Sequence, residues 1–205
     1  MAIPDDILKT LKAQPYATVR KLVRDGDLLL CSATDPFSRL IQWGSKSPWS
    51  HVAIAYRIPS LDRVMVLESV QQLGVRSVPL STFISKTSTG THPYPGKILL
   101  ARHSGIEALG GPKSKKLYDF AFSGLGDQFA GGEIVKIALR IAFGRTNHHM
   151  PKMLGSKDAY ICSEYVAKCF ERAGLRIPWD GLGFVAPGDF ANDPDVSAVA
   201  QFRTR

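Results

Sequence analysis

Residues 162–174 read CSEYVAKCFERAG, one amphipathic helix with a cysteine in its first turn. Tyr165, Val166, Cys169, Phe170 and Ala173 recur at helical spacing as one apolar stripe. Glu164, Lys168, Glu171 and Arg172 take the other side, and Gly174 ends the helix as a C′ glycine. Cys162 stands three residues before Tyr165, on the apolar face and in the first turn. A thiol placed there meets unpaired backbone N–H groups and the positive end of the helix macrodipole. Both lower its pKa from about 8.5 and favour the thiolate. The same N–H groups are ready donors to an oxyanion. Cys169 in mid-helix and Cys31 in an apolar strand read instead as core cysteines.

Such a helix needs an apolar sheet to cover, and the preceding sequence supplies one. The runs HVAIAYR (51–57) and RVMVLES (63–69) are rich in β-branched residues. The connection between them, 58–62, contains Pro59 and Asp62, so they form an antiparallel hairpin. Leu28-Leu29-Leu30-Cys31 follows a Gly26-Asp27 turn as a buried strand, and 75–78 and 97–102 are two more. Residues 85–96, rich in Ser, Thr, Gly and Pro, read as an exposed loop. Helices are expected at 4–14, behind Asp5 and Asp6, and at 36–43, opened by Pro36 and closed by Gly44. After Gly110 the pattern turns helical, at 115–122, 133–143 and 162–173, and the tail from Pro178 reads as loop. Strands first and helices after, in one chain, argue an α+β fold with an antiparallel sheet packed against the cysteine helix.

The hairpin also carries chemistry. His51 opens its first strand and Glu68 lies near the end of its second, so antiparallel pairing brings a carboxylate within reach of the imidazole. A carboxylate there fixes the imidazole tautomer and stabilises the imidazolium. Cysteine, histidine and carboxylate are the components of a thiol-hydrolase triad.

The segments Gly26-Asp27-Leu28-Leu29-Leu30, Ser50-His51-Val52-Ala53-Ile54, Leu67-Glu68-Ser69 and Tyr160-Ile161-Cys162-Ser163-Glu164-Tyr165-Val166 carry a resemblance. In this order they resemble the circularly permuted NlpC/P60 papain-like cysteine hydrolases, the YiiX/YebB-like group. There the histidine strand precedes the cysteine helix. The resemblance runs from about 25 to 192 and includes Pro187-Gly188-Asp189-Phe190. It implies Cys162 as nucleophile, His51 as base and Glu68 as the orienting residue. It also places Tyr118, with Ser163 beside the nucleophile, as a candidate contact to the oxyanion or substrate. The one departure in the histidine strand is Ala53, where many relatives carry glycine.

The chain of 205 residues is expected to be one catalytic domain, with a helical extension at 1–24 and an insert at 124–157. Its net charge of +8, densest at Lys113, Lys115 and Lys116, suits anionic surroundings such as a cell-wall polymer or an anionic lipid surface. No basic run is interleaved with aromatics, so nucleic acid is the weaker partner. Three cysteines make no disulfide framework. The adjacent His148 and His149 diverge on either a helix or a strand, no zinc spacing is present, and no metal or other cofactor is expected. His92 and His103 read as surface residues. The start of the chain does not read as a secretory signal, and no run approaches the ~18 apolar residues of a membrane span, so a cytoplasmic product is expected, one that a phage or toxin system could still deliver elsewhere.

The function expected from these readings is hydrolysis of an amide through an acyl-enzyme. A peptidoglycan stem peptide or a γ-glutamyl-type amide is the substrate the resemblance implies. Two alternatives stay open at this point. One is a lipid acyltransferase or thioesterase using the same cysteine and histidine, with Phe37, Leu40, Ile41 and Trp43 as an apolar face. The other is a non-catalytic scaffold or virion protein that keeps the fold.

Overall fold

The computed structural model describes residues 2–71, 73–86, 94–128, 161–178 and 185–204. Seven strands form one sheet: β1 (Ala13–Gln14), β2 (Leu28–Ala33), β3 (His51–Ile58), β4 (Arg63–Val70), β5 (Gly74–Pro79), β6 (Gly96–His103) and β7 (Val196–Phe202). Their order is β1-β7-β6-β2-β3-β4-β5, and every pairing is antiparallel except that of β1 with β7. The hairpin expected at 51–69 is present, its connection closed by a 3₁₀ turn with Asp62 in the left-handed region at φ 44°.

Among the described residues, helices lie on both faces of this sheet. They are α1 (Ile7–Thr10), α2 (Tyr16–Val19), α3 (Pro36–Ser45), α4 (Leu80–Ser85), α5 (Ser104–Glu107), α6 (Gly111–Ser123), α7 (Cys162–Arg172) and α8 (Pro187–Asn192). Alternation along the strands explains why two layers of helix are needed. Leu28, Leu30, Val52 and Ile54 point to one face and pack with Tyr165, Val166, Cys169 and Phe170 of α7 and Phe190 of α8. Leu29, Cys31, Ala53 and Ala55 point to the other, against Val19 of α2 and Leu80, Phe83 and Ile84 of α4. The fully buried Phe170 meets Phe190 edge-on at 6.3 Å between ring centroids. The Tyr165 hydroxyl donates to the Ala121 carbonyl at 2.8 Å and ties α7 to α6.

Several expectations are corrected. The 1–24 segment is not helix throughout: α1 stops at Thr10 and α2 spans Tyr16–Val19, while β1 between them joins the edge of the sheet beside β7. The helix at 36–43 runs through Gly44 and ends instead at Lys46, whose φ of 49° makes the left-handed cap. Residues 80–85, just ahead of the expected loop, form the helix α4, which no expectation covered, and 87–93 of that loop lie outside the described residues. The tail from Pro178 is not all loop, because α8 and β7 lie within it. His103 is buried, 4% exposed, rather than on the surface. The helix expected at 133–143, His92, His148 and His149 lie outside the described residues, as does nearly all of the 124–157 insert.

Close strand contact leaves no room for a side chain at Gly96. A Cβ at Gly96 would stand 2.0 Å from the Ser32 carbonyl oxygen of β2, whereas one at Gly111 would meet nothing within 4 Å. Gly96→Ala should therefore lower stability by about 1–3 kcal/mol, the cost of overpacking, and Gly111→Ala should not lower it. Urea unfolding of the two variants checks this, and equal midpoints would contradict the strand contact.

Candidate active site

Across β3, β4 and β5 runs a row of three charged groups. Glu68 of β4 is paired directly with Arg76 of β5. The register Ile54↔Leu67 continues to Ala53 opposite Glu68, so His51 is the diagonal neighbour of Glu68 on the same face. The contacts follow from that register. Arg76 donates to Glu68 Oε1 from Nε at 2.8 Å and from Nη2 at 2.6 Å, and His51 Nε2 lies 2.8 Å from Glu68 Oε2. Both carboxylate oxygens are thus occupied. The Glu68 side chain is only 2% exposed. Burial alone would push its pKa up, but the hydrogen bond and charge of His51, with the Arg76 guanidinium, hold it below the ordinary value.

Cys162 arrives from the other partner of the sheet. α7 contacts both β3 and β4, and its first turn ends beside the start of β3. Ile161, the N-cap residue, supplies no side-chain hydrogen bond, so no side chain of its own competes for the first-turn N–H groups. The groups that act on the thiol are the His51 ring and the backbone N–H groups of Val52 and Ser163. Since Nε2 of His51 is committed to Glu68, Nδ1 is the nitrogen that serves the sulfur. Burial opposes the thiolate, yet the imidazolium charge and these hydrogen bonds outweigh it and lower the Cys162 pKa. Burial likewise opposes the imidazolium, and Cys162 and Glu68 together raise His51 to about 10. Both shifts favour the thiolate–imidazolium form of the pair.

The other cysteines have no such surroundings. Cys31 is the direct cross-strand neighbour of His51, and burial pushes its thiol well up despite a hydrogen bond with Tyr94. Burial also raises Cys169. Phe83 stacks beside the His51 ring at 6.3 Å and 29°, with Tyr94 on its far side at 5.9 Å and 23°.

The three groups open into a cleft of about 330 Å³, bounded by α3, the strand ends and the N-termini of α7 and α8. Ser163 lines it and is 1% exposed. Tyr118 does not. Its hydroxyl lies 3.5 Å from the Ala55 carbonyl, and its ring packs with Tyr56 and Phe122. Four residues of β3 separate Ala55 from His51, roughly 13 Å of strand. The placement of α6 thus sets Tyr118 at the wrong end of the sheet for an oxyanion. The sequence reading missed Arg76, Phe83 and Tyr94. Arg76 was within reach of it: pairing 70 with 74 across a short turn puts Arg76 opposite Glu68. Phe83 and Tyr94 carry no local signal, since neither is near His51 along the chain.

The family model of the permuted papain-like amidase enzymes, YaeF/YiiX, matches residues 22–198. Among solved structures, the chain is similar to the crystal structure of the metalloprotein yiiX from Escherichia coli, with a TM-score of 0.60 and 20% sequence identity, over 89% of this chain and 98% of that one. The likeness shows a shared fold. A search of the curated proteins finds no match.

The charge pair makes a prediction of its own. The rate of Cys162 alkylation by iodoacetamide should rise at a pH below the ordinary thiol value of about 8.5. In His51→Ala only the burial and the weaker backbone bonds remain, so the midpoint should move above that value. A midpoint that His51→Ala leaves in place would show that the imidazolium does not hold the thiolate.

Proposed function

Because the chain belongs to the permuted papain-like amidases of the YaeF/YiiX family, and so to a family of cysteine hydrolases, we propose that it cleaves an amide with Cys162 as nucleophile, His51 as acid and base, and Glu68 as the orienting carboxylate. The observation that carries this reading is the His51 ring, held between the Cys162 thiol and Glu68.

The steps follow from the proton positions. The Cys162 thiolate attacks the carbonyl carbon, and the oxygen that gains the charge turns to the first-turn N–H groups of α7, those of Cys162 and Ser163. Ser163 contributes here through its backbone. The imidazolium gives its Nδ1 proton to the departing nitrogen, so the C–N bond breaks and an amine leaves. A water molecule loses a proton to the now neutral imidazole and attacks the thioester. The acid departs and Cys162 is regenerated as thiolate. Glu68 changes no bond; it keeps the ring in one tautomer and stabilises its charged form. Tyr118 has no part in these steps.

The yiiX protein is a metalloprotein, and a metal in this chain would need several ligand atoms gathered at one point. Among the described residues, His103, Asp193 and Asp195 form the one group with ligand atoms close enough. His103 Nδ1 accepts the Gly105 N–H at 2.9 Å. The other nitrogen, Nε2, therefore carries the proton and turns it, not a lone pair, toward Asp193 Oδ2 at 3.6 Å. That group does not fit a metal, and no step is drawn through one. The membership in a cysteine-hydrolase family and the charge pair both speak against the scaffold reading.

A folded Cys162→Ala or His51→Ala protein should lose amide turnover. Glu68→Gln should lower kcat by about 10–10³-fold, since it keeps the shape but loses the anion. Cys169→Ala should cost about 2 kcal/mol or less in stability and leave kcat intact. Release of amine from fluorogenic amides, with unfolding curves alongside, tests all four. Turnover that survives in Cys162→Ala would end the assignment.

A further inference from the structure

On the amidase reading, on which this inference rests, the site carries different charges before and after acylation. In the free enzyme the thiolate and the imidazolium cancel, and Glu68 cancels Arg76. Acylation removes the first pair. The sulfur becomes a neutral thioester, and the imidazolium has given its Nδ1 proton to the departing nitrogen. What remains is the buried Glu68 carboxylate with one cation, Arg76, on its Oε1 at 2.8 Å from Nε and 2.6 Å from Nη2. Of the two groups that keep Glu68 ionised against burial, His51 has lost its charge and Arg76 has kept it. The other groups around the pair bring little more. Cys31 of β2 and Tyr94 ahead of β6 are held neutral by burial. Asp35, ahead of α3, spends its oxygens on the Ser38 N–H at 3.0 Å and the Ser38 hydroxyl at 2.6 Å. From α4 the ring meets Phe83, and Lys86 beyond it is exposed at the cleft rim, where water screens its charge.

Without Arg76 the acyl-enzyme would hold a lone buried anion. The nearest remedy is a proton on His51, and a ring that keeps its proton cannot take one from water. We propose that Arg76 is a positioning residue for deacylation: it offsets the pull of Glu68 on the imidazole proton and so frees His51 to act as base toward the hydrolytic water. In that step water loses a proton to His51 Nδ1 and its oxygen bonds the acyl carbon. The C–S bond then breaks, the acid leaves, and the thiolate and imidazolium return. Acylation starts from the imidazolium and depends less on Arg76. The geometry suits this division of work. The register sets Arg76 directly opposite Glu68, and its two N–H groups on Oε1 leave Oε2 to His51 at 2.8 Å.

p-Nitrophenyl acetate is the probe, because an activated ester acylates fast and leaves deacylation to limit turnover. The wild type should release nitrophenolate in a stoichiometric burst that Cys162→Ala lacks. The steady rate after it should rise with pH to a plateau as His51 of the acyl-enzyme loses its proton. In Arg76→Gln the burst should persist, while the rising limb moves up by about 1 pH unit or more, because a cation near the imidazolium has gone. On that limb the steady rate should fall about 10-fold, and at the plateau it should match the wild type. Arg76→Lys keeps the charge and should hold the limb near its wild-type place. A limb that Arg76→Gln leaves unmoved, or a loss equal at every pH, overturns the proposal.

A second measurement needs neither turnover nor a folded Arg76 variant. Iodoacetamide converts Cys162 into a neutral thioether, which matches the charge of the acyl-enzyme. His51 of the alkylated wild type, followed by NMR, should titrate near the ordinary histidine value of about 6.5, well below its value of about 10 beside the thiolate. A His51 that still titrates above about 8 after alkylation would show that Arg76 does not offset Glu68. The expected titration without ester or amide turnover by the wild type would keep the charge assignment and remove the hydrolytic reading. A burst in the wild type with the limb unmoved in Arg76→Gln would keep the hydrolase and overturn the part given to Arg76. Neither the titration nor the burst overturns both.

Discussion

Glu68 is a carboxylate almost wholly out of water, and the rest of the site depends on how its charge is met. An unpaired charge at such a place costs several kcal/mol, so the group is tolerable only if both oxygens are satisfied. One is taken by two N–H groups of Arg76 and the other by His51. This arrangement needs β3, β4 and β5 in one register. Because side chains alternate along a strand, a slip of a single residue would turn Glu68 to the face occupied by Leu67 and leave His51 without it. The pairing of buried charge is therefore also what makes the register of this half of the sheet specific.

The second half of the site is set by helix packing. The apolar stripe of α7 fixes its rotation on the sheet, and its docking against β3 and β4 brings the first turn to the mouth of β3. A thiol one position along the helix would lie about 100° away and miss the imidazole. The contrast among the three cysteines shows how much placement counts. All three are buried, and Cys31 is even the cross-strand neighbour of His51, yet only at Cys162 do the imidazole and the backbone N–H groups outweigh burial, and only its pKa falls. Burial without those partners makes Cys31 and Cys169 inert core residues.

The motif residues at the other end of β2 have a structural reason. Asp27 is 1% exposed and takes both Arg102 Nε, at 2.7 Å, and Arg102 Nη2, at 2.8 Å, on its two oxygens. Gly26, at φ 82°, makes the turn that delivers it. The Gly-Asp pair thus anchors β2 to β6 far from the cleft, and the strand then carries Cys31 to a position opposite His51. One end of the central strand is held by an ion pair and the other faces the chemistry.

The sequence by itself determined the cysteine helix, the histidine hairpin and the α+β class, because each rests on a short-range period of apolar residues or on a turn between neighbours. His51 and Glu68 were legible for the same reason: 17 residues of one hairpin join them. Arg76 was legible in principle, through one more hairpin. The tertiary structure alone decided what depends on distant segments. It decided that Tyr118 faces Ala55 and not the thiol, since the docking of α6 on the sheet is not written in α6. It made the C-terminal tail a strand, because VSAVAQF gains its conformation from β1 and β6 on either side. It brought Phe83 and Tyr94 to the imidazole and α3 to the cleft wall. Periodicity reports which face of an element is apolar; where that element lies in space is set by the packing of the whole chain.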